Sequence, residues 1–451
     1  MHPDSNTTQV KREIGALTAT SIVIANIVGA GIFTTSGIMA GMLPGSGWIL
    51  LCWIFGGLIA MAGALCYSEL ATRMPEEGAE YVYLRKLYHP LLGFLTGWTS
   101  FFVGFSAPVA ASAIGFSEYL FAGLEQQAIE HAATPLAVKK LTAIVIILLF
   151  TIVHYLGIRL GSGVQNFLTG IKIVIVLGLA STGLVIGSGY RSNLSFGNND
   201  SFEWLAIGTT MMLVMFAYSG WNASAYIAGE VKQPRRTLPL SLLAGTITVI
   251  VIYFAVNLFI FRSLPYAELK GTIAVVEKAS VSTFGNWMGR GLSIMIAVAL
   301  LSSLSAYTIL GPRVYFAMAR DRLFFPFAAK VHPRYQVPGR SILLQGAIAA
   351  VMVFAGTFEQ LLIYLGFTLG IFPWLAVAGL FIARKKHVGD DSAVRVPGYP
   401  LVPLFFLAST LGLMVIAYMN RPLESSAAVL TVLAGIPCYF LWVRALKAPR
   451  S

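Results

Sequence analysis

Charge is what this sequence has least of. Only 11% of its 451 residues are Asp, Glu, Lys or Arg, and just 19 are acidic. A soluble domain carries about 25% charged residues, so a water-solvated globule is excluded. Cysteine is almost absent too. Cys52, Cys66 and Cys438 all fall in apolar stretches and read as small buried hydrophobes, which excludes a disulfide framework. The six histidines show no metal-ligand spacing, and no nucleophile–base pair sits within the apolar stretches. No enzyme activity, metal or cofactor is therefore expected. His154 lies inside an apolar stretch and reads as a satisfied core residue rather than a proton relay.

What the chain has in abundance is hydrophobic length: 57% of its residues are apolar and its mean hydropathy is +0.76. About 20 apolar residues cross a bilayer as a helix. Runs of that kind predict twelve transmembrane helices, near 14–41, 48–72, 92–122, 141–158, 164–187, 204–228, 238–262, 288–319, 341–356, 359–384, 399–419 and 425–446. The expected class is an all-α integral membrane protein with the lipid bilayer as its solvent. The polar head is followed by an apolar stretch too long for a cleavable signal, and neither a cleavable signal nor a soluble domain is expected.

The net charge of +12 invites a nucleic-acid reading, which its distribution refutes. With the N-terminus inside, the internal loops and ends carry 22 of the 31 Lys and Arg, including Arg73, Arg235, Arg236, Arg384, Lys385 and Lys386. That is the positive-inside rule, so both termini are expected in the cytoplasm of a multi-pass protein of the cell (plasma or inner) membrane. One cation, Lys172, lies within a span. The loop 263–286 is amphipathic and is expected to form short helices over the outer mouth.

Two spans are interrupted. Gly29-Ala30-Gly31 sits in the middle of the first, and Tyr218-Ser219-Gly220-Trp221-Asn222 in the middle of the sixth. Lipid cannot satisfy the backbone groups such a break frees, so each must be buried in protein or line a cavity. Broken helices at positions one and six suggest two five-helix repeats of opposite topology, 1–187 and 204–384, followed by two peripheral helices, 399–446.

The breaks offer complementary chemistry. Free amides around Val28, Gly29, Ala30 and Gly31, at the positive end of a half-helix, suit a carboxylate. Close helix packing is the competing explanation of the glycines. Carbonyls freed at Phe216, Ala217 and Ser219 suit an ammonium. A zwitterion held by both is an α-amino acid. Phe216 and Trp221 are candidate aromatic gates, and Asn222 either holds the unwound backbone or faces the substrate. A lysine deep in a span is costly and normally faces a partner or cavity, unless it snorkels to the interface. Lys172 could stand where a sodium ion would sit, holding the carbonyls of the first break, and could carry a coupling proton. Ser302, Ser303 and Ser305 are candidates to line the pocket or touch Lys172. Glu118 and Glu230 lie near span ends and read as solvated or paired. With no evident buried acid in the pocket, neutral substrates are expected.

The stretches Phe216–Asn222 and Gly229-Glu230-Val231-Lys232-Gln233-Pro234-Arg235-Arg236-Thr237-Leu238-Pro239 resemble the sixth helix and following loop of the amino acid–polyamine–organocation superfamily, in its L-type amino acid transporter branch. Gly29-Ala30-Gly31-Ile32-Phe33 is similar to that family's first-helix motif, though Ser is commoner than Ala30. Ser68-Glu69-Leu70 with Pro75 and Tyr81-Val82-Tyr83-Leu84 match its second-to-third-helix loop, and Arg320-Asp321 with Pro326 match the end of the eighth helix.

The resemblance implies the leucine-transporter-type 5+5 inverted repeat with broken helices 1 and 6. It also implies carboxylate binding by the amides of Ala30 and Gly31, and ammonium binding by the carbonyls of Phe216, Ala217 and Ser219. Phe216 would be a gate, and Lys172 would match the fifth-helix lysine of sodium-independent members. Gly78-Ala79-Glu80 departs from the family's usual Gly-Gly pair. Eukaryotic members bond a heavy chain through a cysteine between helices three and four. Residues 123–140 contain none, so no disulfide-linked heavy chain is expected. The resulting expectation is sodium-independent transport of amino acids by alternating access, as exchanger or proton symporter. The alternative is a sensor or channel that kept the fold.

Overall fold

A computed structural model of the chain describes residues 12, 14–125, 134–185, 195–197, 204–335, 337–354 and 358–447. The first span is two helices, α1 (Ala16–Ile27) and α2 (Ala30–Ala40), parted by Val28 and Gly29. There follow α3 (Ser46–Arg73), α4 (Glu80–Leu87) and α5 (Pro90–Thr99), which runs through a π-helical turn, Ser100–Ser106, into α6 (Ala107–Glu125). Next come α7 (Leu136–Tyr155), α8 (Ile158–Val185) and a second split span, α9 (Trp204–Ala217) with α10 (Ala223–Tyr226). The chain continues through α11 (Pro234–Ser263), α12 (Tyr266–Leu269), α13 (Val275–Phe284) and α14 (Asn286–Arg320). It ends with α15 (Gly339–Met352), α16 (Phe358–Lys385), α17 (Leu401–Asn420) and α18 (Pro422–Lys447).

Only helices satisfy every backbone polar group internally in lipid without closing a barrel. Among the described residues nine helical stretches are long and apolar enough to span a bilayer, and Gly163–Leu179, Leu205–Ala217 and Gly339–Met352 are shorter apolar helices. This is a multi-pass membrane protein. The loop between α11 and α14 does form the two short helices α12 and α13, and the Gly271 amide docks on the Gly37 carbonyl at 2.9 Å. The segment between α6 and α7, where a heavy-chain cysteine is ruled out by sequence, lies largely outside the described residues.

The broken helices sit at the centre, with α1 against α11, α2 against α9, and α14 against α6 and α8. Leu- and Val-rich faces of α7, α17 and α18 point outward, as lipid contact requires: Leu148, Leu411 and Leu430 are all exposed. Glu69, at the end of α3, is fully buried. It accepts from Arg73 at 3.0 Å, from Arg384 at 2.9 and 2.5 Å, and from the Val396 amide at 2.8 Å. Each carboxylate oxygen is thereby satisfied, which a buried charge needs, and α3 is tied to α16 and the chain beyond it.

Candidate functional site

At the first break the helix stops because Val28 leaves helical geometry and Gly29 is extended, and α2 restarts with no side chain capping its amides. The first amides of any helix lack intrahelical partners. The break's carbonyl side is different. Lys172, on α8, is 1% exposed and does not snorkel. Its Nζ donates to the Ala25 carbonyl at 3.0 Å, the Val28 carbonyl at 2.7 Å and Ser303 Oγ at 2.8 Å. All three ammonium protons are thus used, and Ser303 in turn donates to the Val28 carbonyl at 3.1 Å. Ser302 is turned away and pairs with Thr169 at 3.1 Å, while Ser305 meets His154 at 2.9 Å.

The second break begins after Ala217 and is turned by Gly220, whose φ of +98° favours glycine. The two breaks touch. A Cβ on Gly31 would lie 2.5 Å from Ala217 Cβ, and one on Gly220 would lie 2.9 Å from the Asn26 backbone. The glycines therefore permit helix-to-helix contact in this state. Tyr253 of α11 stands where the breaks meet. Its hydroxyl lies 2.6 Å from the Ile27 carbonyl and 2.9 Å from the Ala217 carbonyl, and the Gly29 amide is beside the same oxygen. Tyr307 of α14 makes a second bridge, donating to the Asn26 carbonyl at 3.3 Å and lying beside Ser219.

Neither tyrosine is marked by a motif; each is one aromatic among 18 tyrosines. Tyr253→Phe is expected to leave freed carbonyls unpaired, at about 1–3 kcal/mol. It should lower the thermal unfolding midpoint of the detergent-solubilised protein and slow uptake together. An unchanged midpoint would show that the bridge is not structural.

A cavity of about 90 Å³ opens against the second break. Ser219, Gly220, Trp221 and Asn222 line it, with Asn26 and Tyr307 from the neighbouring helices. Val28, Gly29, Ala30, Gly31, Phe216 and Ala217 are buried or nearly so and do not belong to this lining. Trp221 packs edge-on to Tyr67, with ring centroids 4.8 Å apart, and against Phe406. The π-helical turn contributes Ser100, Gly104 and Phe105 to the lining. Such turns displace side chains from the α-helical register and recur at functional sites.

One expectation is overturned: the cavity does contain a buried acid. Glu80, the first residue of α4, is 1% exposed and is the one charged residue of the lining. Its Oε1 accepts from Tyr67 at 2.7 Å and from Asn222 at 2.6 Å, so Asn222 holds this carboxyl. Glu80 is hidden in the sequence because α4 lies between spans, where a glutamate normally faces water. The signal was Gly78-Ala79-Glu80, where Ala79 adopts φ +43°. Glu118 and Glu230 are paired, with Lys139 at 2.8 Å and Arg313 at 3.5 Å.

The profile of the amino acid permease family matches residues 14–441. Among known proteins the chain is 29% identical to the serine/threonine exchanger SteT of Bacillus subtilis over 445 residues, covering 98% of both chains. It is 28% identical to the human b(0,+)-type amino acid transporter 1 over 447 residues, covering 98% of this chain and 90% of that one. To the human cystine/glutamate transporter it is 26% identical over 454 residues, 99% and 88% of the respective chains.

Proposed function

This chain belongs to the amino acid permease family and is a transporter of amino acids, not an enzyme; we propose that it works without sodium, by alternating access around the two broken helices. The observation that carries this reading is Lys172. Its ammonium occupies the space against the Ala25 and Val28 carbonyls where a coupling cation would need ligands. A fixed cation there holds the unwound backbone whether or not sodium is present.

The substrate's carboxylate is taken by the amides of Ala30 and Gly31 at the positive end of α2. Its ammonium is taken by carbonyls of the Phe216–Ser219 turn, and Phe216 and Trp221 close over it. Because α2 and α9 touch at Gly31 and Ala217 in this state, loading the clamp requires them to part. Two inverted repeats, 1–187 and 204–384, supply that motion, with 399–446 peripheral. The basic side is cytoplasmic, with both termini there, in the cell membrane. No disulfide-linked heavy chain and no nucleic acid take part.

The test is counterflow of labelled amino acids in proteoliposomes, with and without sodium and a pH gradient. Uptake unaffected by sodium is expected, and strict sodium dependence would sink the role given to Lys172. Flux that needs an amino acid on the far side marks an exchanger, and flux driven by a pH gradient alone marks a symporter. Tight binding without any flux would point instead to a sensor.

A further inference from the structure

We propose that the cavity beside the second break is built to take amino acids with a cationic side chain, and that Glu80 is its counter-ion. This deepens the transport reading and rests on it.

Glu80 is buried, lines the cavity, and is unaccompanied by any Lys, Arg or His in that lining. Oε1 already has two donors, whereas Oε2, with the Tyr226 hydroxyl beside the carboxyl, meets no donor in good hydrogen-bond geometry. The groups that face the carboxyl are all neutral: Tyr67 of α3, Tyr83 of α4, and Asn222 and Tyr226 around α10. Once ionised, a buried carboxyl needs a charge partner, and among the described residues around Glu80 there is none. The cavity that Glu80 lines gives a cation a route to it.

The surroundings suit such a visitor. Tyr67 and Tyr226 lie at the carboxyl, and Tyr67 packs edge-on with both Tyr83 and Trp221. Carboxylate plus aromatic rings is the pairing that recognises guanidinium and ammonium groups. The backbone also aims Glu80 inward. Ala79 is held at φ +43°, a conformation L-residues avoid, and the Gly78 amide is fastened to the Tyr226 carbonyl at 3.1 Å. Strain of this kind persists where the surroundings over-determine it. Asn222 links Glu80 directly to the turn that would hold the α-amino group. An amino acid with its α-carbon at the break and a long cationic side chain in the cavity would share that lining with Glu80.

A pH dependence follows. Burial raises the Glu80 carboxyl above the usual carboxylate range. In the empty cavity it therefore keeps its proton to higher pH than a solvated glutamate. An arriving cation favours the ionised form, so binding expels the proton and tightens as pH rises. An uncharged side chain gains nothing from that ionisation.

The discriminating pair is L-arginine and L-citrulline, nearly the same shape with and without the charge, with L-serine as the neutral reference. Competition of labelled uptake in proteoliposomes carrying the full-length protein gives each affinity. Arginine should compete about 10- to 100-fold better than citrulline, and more strongly at pH 7 than at pH 5. Glu80→Gln should erase the arginine-to-citrulline ratio, and Glu80→Asp should keep most of it. Equal competition by arginine and citrulline in the unaltered protein overturns the proposal, with no variant needed. An undiminished ratio in Glu80→Gln does so too, as does a variant that loses only its response to a pH gradient. If no amino acid competes, including serine, the transport reading fails rather than this one.

Discussion

Lys172→Met is expected to reduce amino acid uptake by at least about 100-fold. Methionine keeps the length and volume of the stem, so the substitution removes little but the ammonium. The Ala25 carbonyl, now held at 3.0 Å, loses this donor, and the Val28 carbonyl loses its 2.7 Å contact. Ser303 retains its bond to Val28 but loses its other partner. Stranded buried carbonyls cost about 1–3 kcal/mol each. With the weakened hold on Val28 added, a combined loss of roughly 3 kcal/mol follows, which matches the factor of about 100. The first break should then no longer hold one geometry, and substrate amides on α2 would not be presented. Proteoliposome uptake checks the first consequence and the unfolding midpoint the second. Uptake that survives in Lys172→Met would remove the amine from the mechanism. Sodium-dependent uptake appearing in the variant would show that the ammonium had been filling a cation's place.

Gly31→Ala is expected to be nearly as damaging, for a steric reason. The added methyl would lie 2.5 Å from Ala217 Cβ and 2.6 Å from Ala217 Cα, against backbone that cannot rotate away. Overpacking of this kind costs about 1–3 kcal/mol, and here it acts where the two broken helices meet. Transport should fall by roughly one to two orders of magnitude, at about 1.4 kcal/mol per factor of ten. Combining it with Ala217→Gly should restore part of the activity. The relief is partial, because the backbone of residue 217 still crowds the new methyl after its own methyl has gone. Gly31→Ala uptake equal to the unaltered protein would show that α2 and α9 need not approach so closely. Failure of the double variant to improve on the single one would place the damage elsewhere.

Both expectations concern positions that stood out in the chain itself. Gly31 interrupts an apolar run, and Lys172 is a cation inside one, so each breaks a pattern that lipid enforces. Glu80, Tyr253 and the π-helical turn break no such pattern. Glu80 sits in a polar segment between spans, where a carboxylate is ordinary, and only the packing of α4 near α10 buries it. Tyr253 is one of many aromatics in an apolar helix until its hydroxyl is seen between two carbonyls from distant helices.

The sequence alone was enough for the membrane class, the all-helical character, the family and the two broken helices, because the bilayer turns backbone satisfaction into a condition on local composition. Only the tertiary structure decided that the breaks touch each other, that Lys172 spends all three protons at the first of them, and that the cavity at the second contains an acid. Those facts depend on residues far apart in the chain, brought together by packing rather than by sequence neighbourhood. Hydropathy is summed along the chain, whereas a charge partner is set by which side chains lie within a few ångströms in space.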